Sequence, residues 1–593
     1  MYLLALDSTG TQPYIFGSNR LRHNIGASHL VARATGSWAL EAVQKAASPR
    51  RTNVKDADAL ELRESDDPKY WIEKNDDLAA EVLYAGGGNV VVLFRGKDVA
   101  DNFRECLSQE LIERAPELDL VECGTPFQWG KARDTDPGST SPSGLSETLD
   151  AVLRELGRKK DARRVPSRPV GRSVTRPGQI HGQPAVGMQE PPGPGEDPYP
   201  ISAEAEAKEE HLHRANQRLE ALLPPPDGFA YPYELGNLGQ AEGEQSFIAV
   251  VHADGDRMGK LLQEVAGENP REEASGPSRA FIRRMREFSE VVREAALDAM
   301  NDMVGGLYAF IKKQQDGSDD SGSSEEIELS DLDAPLRLDR RDGDLLLPLR
   351  PIVFGGDDVT FVCDGRLGLA LAVRYVRCFE THFETRAEKS DVLPLLPKTT
   401  ASAGVSIVKT HYPFSRAYDL AEELTRSAKD RRQEDRRAKS FMDWHVAPGD
   451  LAGSLDAMRA PYRLPAQTGA GSRPERILFT RPVAVTGGRE DETDRWEALR
   501  TRIRNFRDYE GAREQVKELE EKLRQGPSAV RAHVQEHDLG DLLNGNTEGF
   551  HGNETPYLDV LELMDLAVLD DELESCDDAN RRQGAEGPSI DIR

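Results

Sequence analysis

The feature that most constrains the fold is a glycine- and aspartate-bearing turn between two apolar runs. The turn Phe354-Gly355-Gly356-Asp357-Asp358 joins Arg350–Phe354 to Val359–Cys363. Two such runs joined by a short glycine turn are typical of a β-hairpin, and glycine lets backbone turn tightly and approach a bulky ligand. The pattern predicts a hairpin with two adjacent carboxylates at its tip.

The apolar strand Phe247–Val251 continues through His252 and Ala253 and ends at a third carboxylate, Asp254. The elements around it follow the order β-α-β-β-α-β, which is the ferredoxin-like pattern. The order consists of that strand, helix Ser278–Met303, the hairpin, helix Leu367–Phe383, strand Ser402–Ile407 and helix Ser415–Lys429. Neighbouring strands lie ~4.8 Å apart, so we expect Asp254 to converge with the hairpin carboxylates.

Carboxylate oxygens grouped in this way suit Mg²⁺ or Mn²⁺, with substrate phosphates completing the shell. Two such ions can activate a 3′-hydroxyl and stabilise a leaving pyrophosphate. We therefore predict that Asp254, Asp357 and Asp358 are the metal ligands and the catalytic residues. For the hairpin taken alone, a solvated β-turn is the alternative.

Residues near these carboxylates are candidates for binding a nucleotide. Backbone amides and a lysine after the strand would hold phosphates, and the hairpin glycines would lie beside them: Gly255, Asp256, Gly259, Lys260, Gly355 and Gly356. Lys429 ends a predicted helix, where it would reach a triphosphate or face solvent, favoured there by the helix dipole. Ser402 and Ser406 alternate with apolar residues and are best interpreted as ordinary strand serines.

The first part of the chain repeats the same order of elements. It runs through strand Tyr2–Leu6, helix Leu21–Val43, a hairpin around Ala85–Asn89, helix Asp98–Arg114 and strand Leu118–Glu122. This predicts a divergent internal duplication whose first hairpin lacks carboxylates. The residues Ser18, Asn19, Arg22 and Gly87 are either a second nucleotide site or structural turn residues.

These patterns predict an α/β (α+β) fold with four regions. They are a degenerate ferredoxin-like domain at 1–130, a Pro/Gly-rich linker with a small helical region at 131–244, the carboxylate-bearing domain at 245–446 and a helical C-terminal domain at 447–593. A short helix is expected at Leu145–Leu156 within the linker. The acidic segment 315–344 is predicted to be a mobile insertion, and an acidic tail begins at Asp577.

Composition excludes several classes of protein. The 593 residues carry a net charge of −28, which argues against broad sequence-independent binding of nucleic acid. No run approaches the ~20 apolar residues of a membrane span, and the first residues lack a signal peptide, so we expect a cytoplasmic protein. Five scattered cysteines without a CxxC pair predict reduced thiols rather than disulfides or a zinc cluster.

Several of these segments resemble the large subunit of type III CRISPR effector complexes, a polymerase/cyclase family with paired palm domains. The matching segments are Tyr14–Arg22 with Ile25–Ser28, Ala85–Asn89, Ala253–Lys260, Gly355–Asp358, Ala403–Val405, Pro413–Ser415 and Ala428–Lys429. They span roughly residues 1–446. Three departures stand out. The first palm is predicted to start at Met1, so we expect no N-terminal HD nuclease domain and no DNase activity. The family's zinc-binding cysteine clusters are missing, and the acidic insertion at 315–344 lies just before the carboxylate hairpin.

The resemblance implies ATP as substrate and cyclic oligoadenylate second messengers as products, made in antiviral defence on sensing target RNA. It implies metal binding by Asp254, Asp357 and Asp358, phosphate contact by Lys429, and partners that include other CRISPR effector subunits, guide RNA and target RNA. Two alternatives stay open. One is a scaffold subunit that binds nucleotide without turnover, and the other is a stand-alone cyclic-nucleotide signalling enzyme.

Overall fold

The computed structural model describes residues 1–63, 67–129, 144–163, 175–180, 182–190, 197–239, 246–267, 276–316, 326–329, 332, 335–393, 396–435, 438–447, 449, 453–466, 475–487 and 495–576. The chain forms two compact units. The first consists of Met1–Leu222, Arg257–Arg293 and Arg386–Leu396, and the second of Leu223–Asp256, Glu294–Thr385 and Pro397–Arg593.

The first unit is built on a mixed α/β arrangement. Its elements are β1 (Tyr2–Thr9), α1 (Thr11–Phe16), α2 (Leu21–Thr35), α3 (Ser37–Ala47), β2 (Arg51–Thr52), β3 (Val54–Asp56), β4 (Glu61–Leu62), β5 (Leu78–Gly86), β6 (Asn89–Phe94), α4 (Lys97–Arg114), β7 (Asp119–Pro126), α5 (Leu145–Ala162), β8 (Ala185–Gln189), β9 (Tyr199–Ser202), α6 (Ala203–Glu210), α7 (Leu212–Leu222) and α8 (Met258–Gly267). Helix α9 (Pro277–Asp316) is divided between the units at Arg293.

The second unit contains the remaining elements. They are the rest of α9, β10 (Phe229–Ala230), β11 (Phe247–Gly255), β12 (Glu326–Ile327), β13 (Leu336–Arg337), β14 (Arg340–Arg341), β15 (Asp344–Leu346), β16 (Leu349–Val353), β17 (Asp358–Asp364), most of α10 (Gly368–Lys389), β18 (Ala401–Lys409), α11 (Phe414–Glu434), β19 (Phe441–Ala447), α12 (Leu455–Arg459), β20 (Arg463–Leu464), β21 (Arg476–Ile477), β22 (Val483–Ala484), α13 (Trp496–Arg507), α14 (Arg513–Gln525), α15 (Pro527–His537), α16 (Tyr557–Leu563) and α17 (Asp571–Glu574).

The two main sheets share one strand order. The first runs β2-β5-β6-β1-β7 and the second β16-β17-β11-β18-β19-β22. In each, the first strand of the repeat lies between the hairpin's second strand and the final strand, and all of these pairings are antiparallel. This is the ferredoxin-like arrangement, and it confirms the α/β fold with two such domains.

The central strand of each sheet is apolar on both faces because both faces are covered. Leu3, Leu4 and Ala5 of β1 and the run 248–251 of β11 have no exposed surface. Helix α11 packs against β18, which covers one face of the second sheet. Burial on both faces explains why these strands read as continuous apolar runs rather than as alternating ones.

Two predicted helices differ from the structure, and one strand of the structure was not predicted. The predicted helix Leu21–Val43 is interrupted at Gly36, whose backbone leaves the helical region at φ −111° and ψ −108°. The predicted helix Leu145–Leu156 is present but continues to Ala162. Strand β19, which extends the second sheet parallel to β18, was not predicted from the sequence.

The prediction of five reduced thiols is wrong for one pair. Cys378 on α10 and Cys576 after α17 form a disulfide with a Cα–Cα distance of 5.3 Å. They are 198 residues apart in the chain, so only the tertiary fold brings them together. The other three cysteines are free.

Some sequence predictions fall on residues outside the description. Much of the predicted linker lies there, at 130–143, 164–174 and 191–196, as do residues 317–325 of the acidic segment and the tail from Asp577. The described part of the acidic segment contains the short strands β12 to β15. Among the described helices, none has the length and apolar character to cross a membrane.

A glycine in β18 sets the distance between the second sheet and α11. A Cβ atom on Gly404 would lie 2.2 Å from the Ala421 carbonyl oxygen and 2.5 Å from the Thr425 backbone nitrogen. Both obstacles are helix backbone, so they cannot rotate away. The close packing of α11 on the sheet therefore requires glycine at this position.

We expect Gly404→Ala to destabilise the second unit by about 1–3 kcal/mol, the usual range for overpacking a core. Gly356→Ala is the control, because nothing lies within 4 Å of a Cβ atom there. Thermal unfolding followed by circular dichroism should show a lower midpoint for Gly404→Ala alone. Equal midpoints for the two variants would contradict the packing argument.

Candidate active site

The pairing of β11 with β17 places the predicted carboxylates side by side. Asp254 lies directly opposite Asp358 in the antiparallel register. The Gly255 N–H donates a hydrogen bond of 3.1 Å to the carbonyl oxygen of Asp357, which fixes the hairpin tip against the end of β11. Gly355 has a φ of +96°, a conformation that favours glycine, so the turn needs this residue.

Burial and mutual repulsion together raise the pKa values of the two hairpin carboxylates. Desolvation, followed by the charges of Asp254 and Asp358, raises the pKa of Asp357 to about 7. Desolvation, followed by the charge of Asp254, also raises the pKa of Asp358 to about 7, although 52% of its side-chain surface is exposed. Concentrated negative charge of this kind is what a divalent cation relieves.

The cation that balances the site within the chain is Lys429. Its Nζ atom forms an ion pair with Asp254, and both side chains are about 30% exposed. Helix α11 carries Lys429 to this position because Gly404 allows the helix to lie close to β18. From the sequence, this lysine had two alternative roles, which were contact with a phosphate and exposure to solvent. The structure places it against a predicted metal ligand.

His252 belongs to the same cluster and was not predicted as a site residue. Its Nδ1 atom lies 3.1 Å from the Thr360 hydroxyl oxygen and 3.3 Å from an Asp358 carboxylate oxygen. Burial lowers its pKa, so the ring is neutral at neutral pH. It was detectable from the sequence, since alternate residues of a strand share a face and His252 stands two positions before Asp254.

Asp256 faces a different, internal network. Its carboxylate accepts hydrogen bonds from the hydroxyls of Thr400 at 2.7 Å and Ser402 at 2.9 Å, and Arg432 lies 3.6 Å away. Burial raises its pKa, while the two hydroxyls and Arg432 lower it. The network ties the end of β11 to β18. Ser402 is thus an anchor for this carboxylate, and Thr400 and Arg432 join it without any sequence signal.

Two further nucleotide-binding candidates belong to the first unit. Gly259 and Lys260 lie on α8 and are exposed, whereas Gly255 and Asp256 belong to the second unit. Arg22, a candidate in the first repeat, forms a 3.0 Å ion pair with Glu209. Nucleotide binding by these residues stays a prediction.

The other candidates of the first repeat occupy turns. The Ser18 hydroxyl is buried and accepts a 3.1 Å hydrogen bond from the Arg20 N–H before α2, and Asn19 beside it is exposed. Gly87 forms the tip of the first hairpin with a φ of +57°. A Cβ atom there would lie 3.0 Å from the Tyr84 hydroxyl. These contacts explain Ser18 and Gly87 as turn residues, and nucleotide binding by the three residues stays a prediction.

The first repeat preserves the backbone arrangement of the carboxylate pair but not its chemistry. Asp7 on β1 lies opposite Asn89, the position that corresponds to Asp254 opposite Asp358 in the second repeat. Asp7 forms an ion pair with Lys160. Asn89 has an amide where the second repeat has the carboxylate of Asp358, so the first repeat lacks the carboxylate pair.

Comparison with known proteins finds a family similar to the second repeat. Residues 247–438 match the model of the family described as Cas10/Cmr2, second palm domain. The second repeat is therefore similar to the second palm domain of Cas10/Cmr2 proteins. The match confirms the predicted resemblance to the large subunit of type III CRISPR effector complexes. A search of curated proteins finds no match.

Several solved structures are similar to the chain at low identity. The Csm1–Csm4 cassette in complex with cA4 is 13% identical, with 96% of this chain and 70% of that chain covered and a TM-score of 0.44. The cassette with AMPPNP is 14% identical, with 74% of this chain and 54% of that chain covered and a TM-score of 0.39. Csm1 in T. onnurineus is 15% identical, with 95% of this chain and 69% of that chain covered and a TM-score of 0.44. The chain thus spans 54% to 70% of the length of these proteins.

The two glycines of the palm hairpin should respond differently to alanine. Gly355→Ala forces a Cβ atom into an unfavourable φ, at a strain of order 1–3 kcal/mol, whereas Gly356 has neither a positive φ nor a neighbour within 4 Å. We expect Gly355→Ala to speed exchange of the Gly255 amide by roughly tenfold, measured by hydrogen–deuterium exchange of the β11 peptide. Faster exchange in Gly356→Ala instead would refute the assignment.

Proposed function

We propose that the second palm domain is a divalent-metal-dependent nucleotidyltransferase that makes cyclic oligoadenylates from ATP. The observation that carries this proposal is the register that sets Asp254 opposite Asp358, with Asp357 adjacent on the same hairpin. A cyclase must hold a triphosphate beside an attacking hydroxyl, and carboxylates at a sheet end are suited to the cations that do so.

The donor set fits Mg²⁺ or Mn²⁺. All three candidate ligands offer carboxylate oxygens, the preferred ligands of these ions. Burial, together with neighbouring negative charge, raises the pKa values of Asp357 and Asp358, so a bound cation would favour their ionised forms. Asp254, Asp357 and Asp358 would hold the metal. When bound there, such ions lower the pKa of the attacking 3′-hydroxyl and neutralise charge on the phosphates.

The residues around the carboxylates are arranged to orient them and to admit substrate. His252 Nδ1 lies 3.3 Å from an Asp358 carboxylate oxygen, and burial lowers the pKa of the ring, which favours its neutral form beside the proposed cation site. Space is open above Gly355 and Gly356, since a Cβ atom on either would meet nothing within 4 Å, which suits a bulky nucleotide. Lys429 would exchange its contact with Asp254 for a phosphate oxygen when the metal arrives.

We further propose that the chain acts as a large subunit of a type III CRISPR complex, with guide RNA, target RNA and other effector subunits as partners. The family of the second palm supports this proposal. Two of the solved structures named above are of a Csm1–Csm4 cassette, one with AMPPNP and one with cA4. Their ligands suggest adenine nucleotides as the ones to test first.

Asp357→Ala combined with Asp358→Ala should abolish product formation. Purified protein, alone and with guide and target RNA, is incubated with ATP and Mg²⁺ or Mn²⁺, and the products are identified by mass spectrometry. We expect cyclic oligoadenylates from the unmodified chain, a loss of at least 100-fold in the double variant and no product with EDTA. ATP binding without any product under every condition would favour the scaffold alternative.

Lys429→Ala should weaken ATP use more than Lys429→Arg does. Loss of a charge-assisted contact to phosphate amounts to about 1.5–3 kcal/mol, so we expect KM for ATP to rise roughly tenfold or more. Arg426→Ala is the matched control, because it removes an exposed cation from the same helix that pairs only locally with Glu422. An equal effect in Lys429→Ala and Arg426→Ala would show that only general charge matters.

A further inference from the structure

Two helices near the C-terminus bring metal-binding side chains together, outside the palm. His533 and His537 lie one turn apart on α15, and their ring centroids are 4.6 Å apart. Glu518 projects from α14, which packs against α15. One ligand atom from each of these three residues lies within 4.8 Å of the other two.

A backbone contact fixes the orientation of the central histidine. The His533 Nε2 atom lies 2.8 Å from the Gln515 carbonyl oxygen. A carbonyl only accepts, so Nε2 carries the proton and donates. This leaves Nδ1 directed toward Glu518, 4.0 Å from its carboxylate oxygen. A backbone carbonyl on the distal ring nitrogen is the usual support for a histidine that binds metal.

The arrangement calls for a positive charge between the two side chains. In the neutral ring, Nδ1 presents a lone pair to an anionic oxygen, so two acceptors face each other. His533 is 3% exposed, which limits the access of water to this gap. A cation bound by both groups, and by the neighbouring His537, would resolve the conflict.

We propose that Glu518, His533 and His537 bind a transition-metal ion of the Zn²⁺ type. Two imidazole nitrogens and one carboxylate form a known three-ligand set for zinc, whose fourth position is taken by water. Mg²⁺ and Ca²⁺ prefer oxygen ligands alone, so this site differs from the palm in the metal that it selects.

Only a modest adjustment is needed to close the site. Zinc–nitrogen bonds of about 2.0–2.1 Å place tetrahedral ligands roughly 3.3 Å apart. The Glu518 side chain is 59% exposed and is free to move toward His533. Because Glu518 and the histidines lie on different helices, the ion would cross-link α14 to α15 and stabilise this helical region.

The test is a zinc titration of the full-length chain after removal of metal by a chelator. Millimolar Mg²⁺ is kept present to compete with zinc for the palm carboxylates, and zinc that they still bind is common to all variants and cancels in the comparison. We expect the unmodified chain to bind one more Zn²⁺ than His537→Ala, and Glu518→Gln to bind that ion at least tenfold more weakly. His537 is chosen because His533 is buried. His411→Ala, which removes an exposed imidazole elsewhere, is the matched control.

A second measurement guards against misfolded variants. Zinc should raise the thermal unfolding midpoint of the unmodified chain and of His411→Ala, but not that of His537→Ala, while the midpoints without zinc stay alike. The same zinc stoichiometry and the same rise in His537→Ala would overturn the proposal. So would an unmodified chain that binds no zinc, since a proton on His533 would then be the charge that faces Glu518.

Discussion

The antiparallel register between β11 and β17 is the constraint on which the candidate site depends. It sets Asp254 opposite Asp358 and lets the Gly255 N–H reach the carbonyl of Asp357. A slip of one residue would turn every side chain of a strand to the opposite face. The pairing of β11 with strands on both of its sides, together with the Gly255–Asp357 hydrogen bond, therefore fixes the positions of the carboxylates.

Close packing on the other side of β11 completes the arrangement. Gly404 lets α11 approach the sheet, and the helix in turn delivers Lys429 to Asp254. The buried Asp256 network fastens β11 to β18 at the same end. Strand pairing, helix approach and a buried carboxylate thus act on a single strand end, so the acidic groups are held close together despite their repulsion.

The two repeats show how one backbone arrangement serves different chemistry. Asp7 opposite Asn89 repeats the geometry of Asp254 opposite Asp358, and each aspartate has a lysine partner. In the first repeat, the amide of Asn89 replaces a carboxylate, and this removes the negative charge that a divalent cation would need. The fold of the first repeat is retained because its stability rests on buried apolar strands, which do not depend on the residue at the hairpin tip.

The sequence by itself determined the repeated β-α-β-β-α-β order and the proximity of Asp254 to the hairpin residues Asp357 and Asp358, because strand periodicity and glycine turns are local signals. It did not reveal β19, whose parallel pairing with β18 is decided by distant residues, or the Cys378–Cys576 bond across 198 residues. Nor did it reveal how Lys429, His252 and Asp256 are partnered. Those contacts join elements far apart in the chain, and only packing of the helices on the sheet brings them within bonding distance.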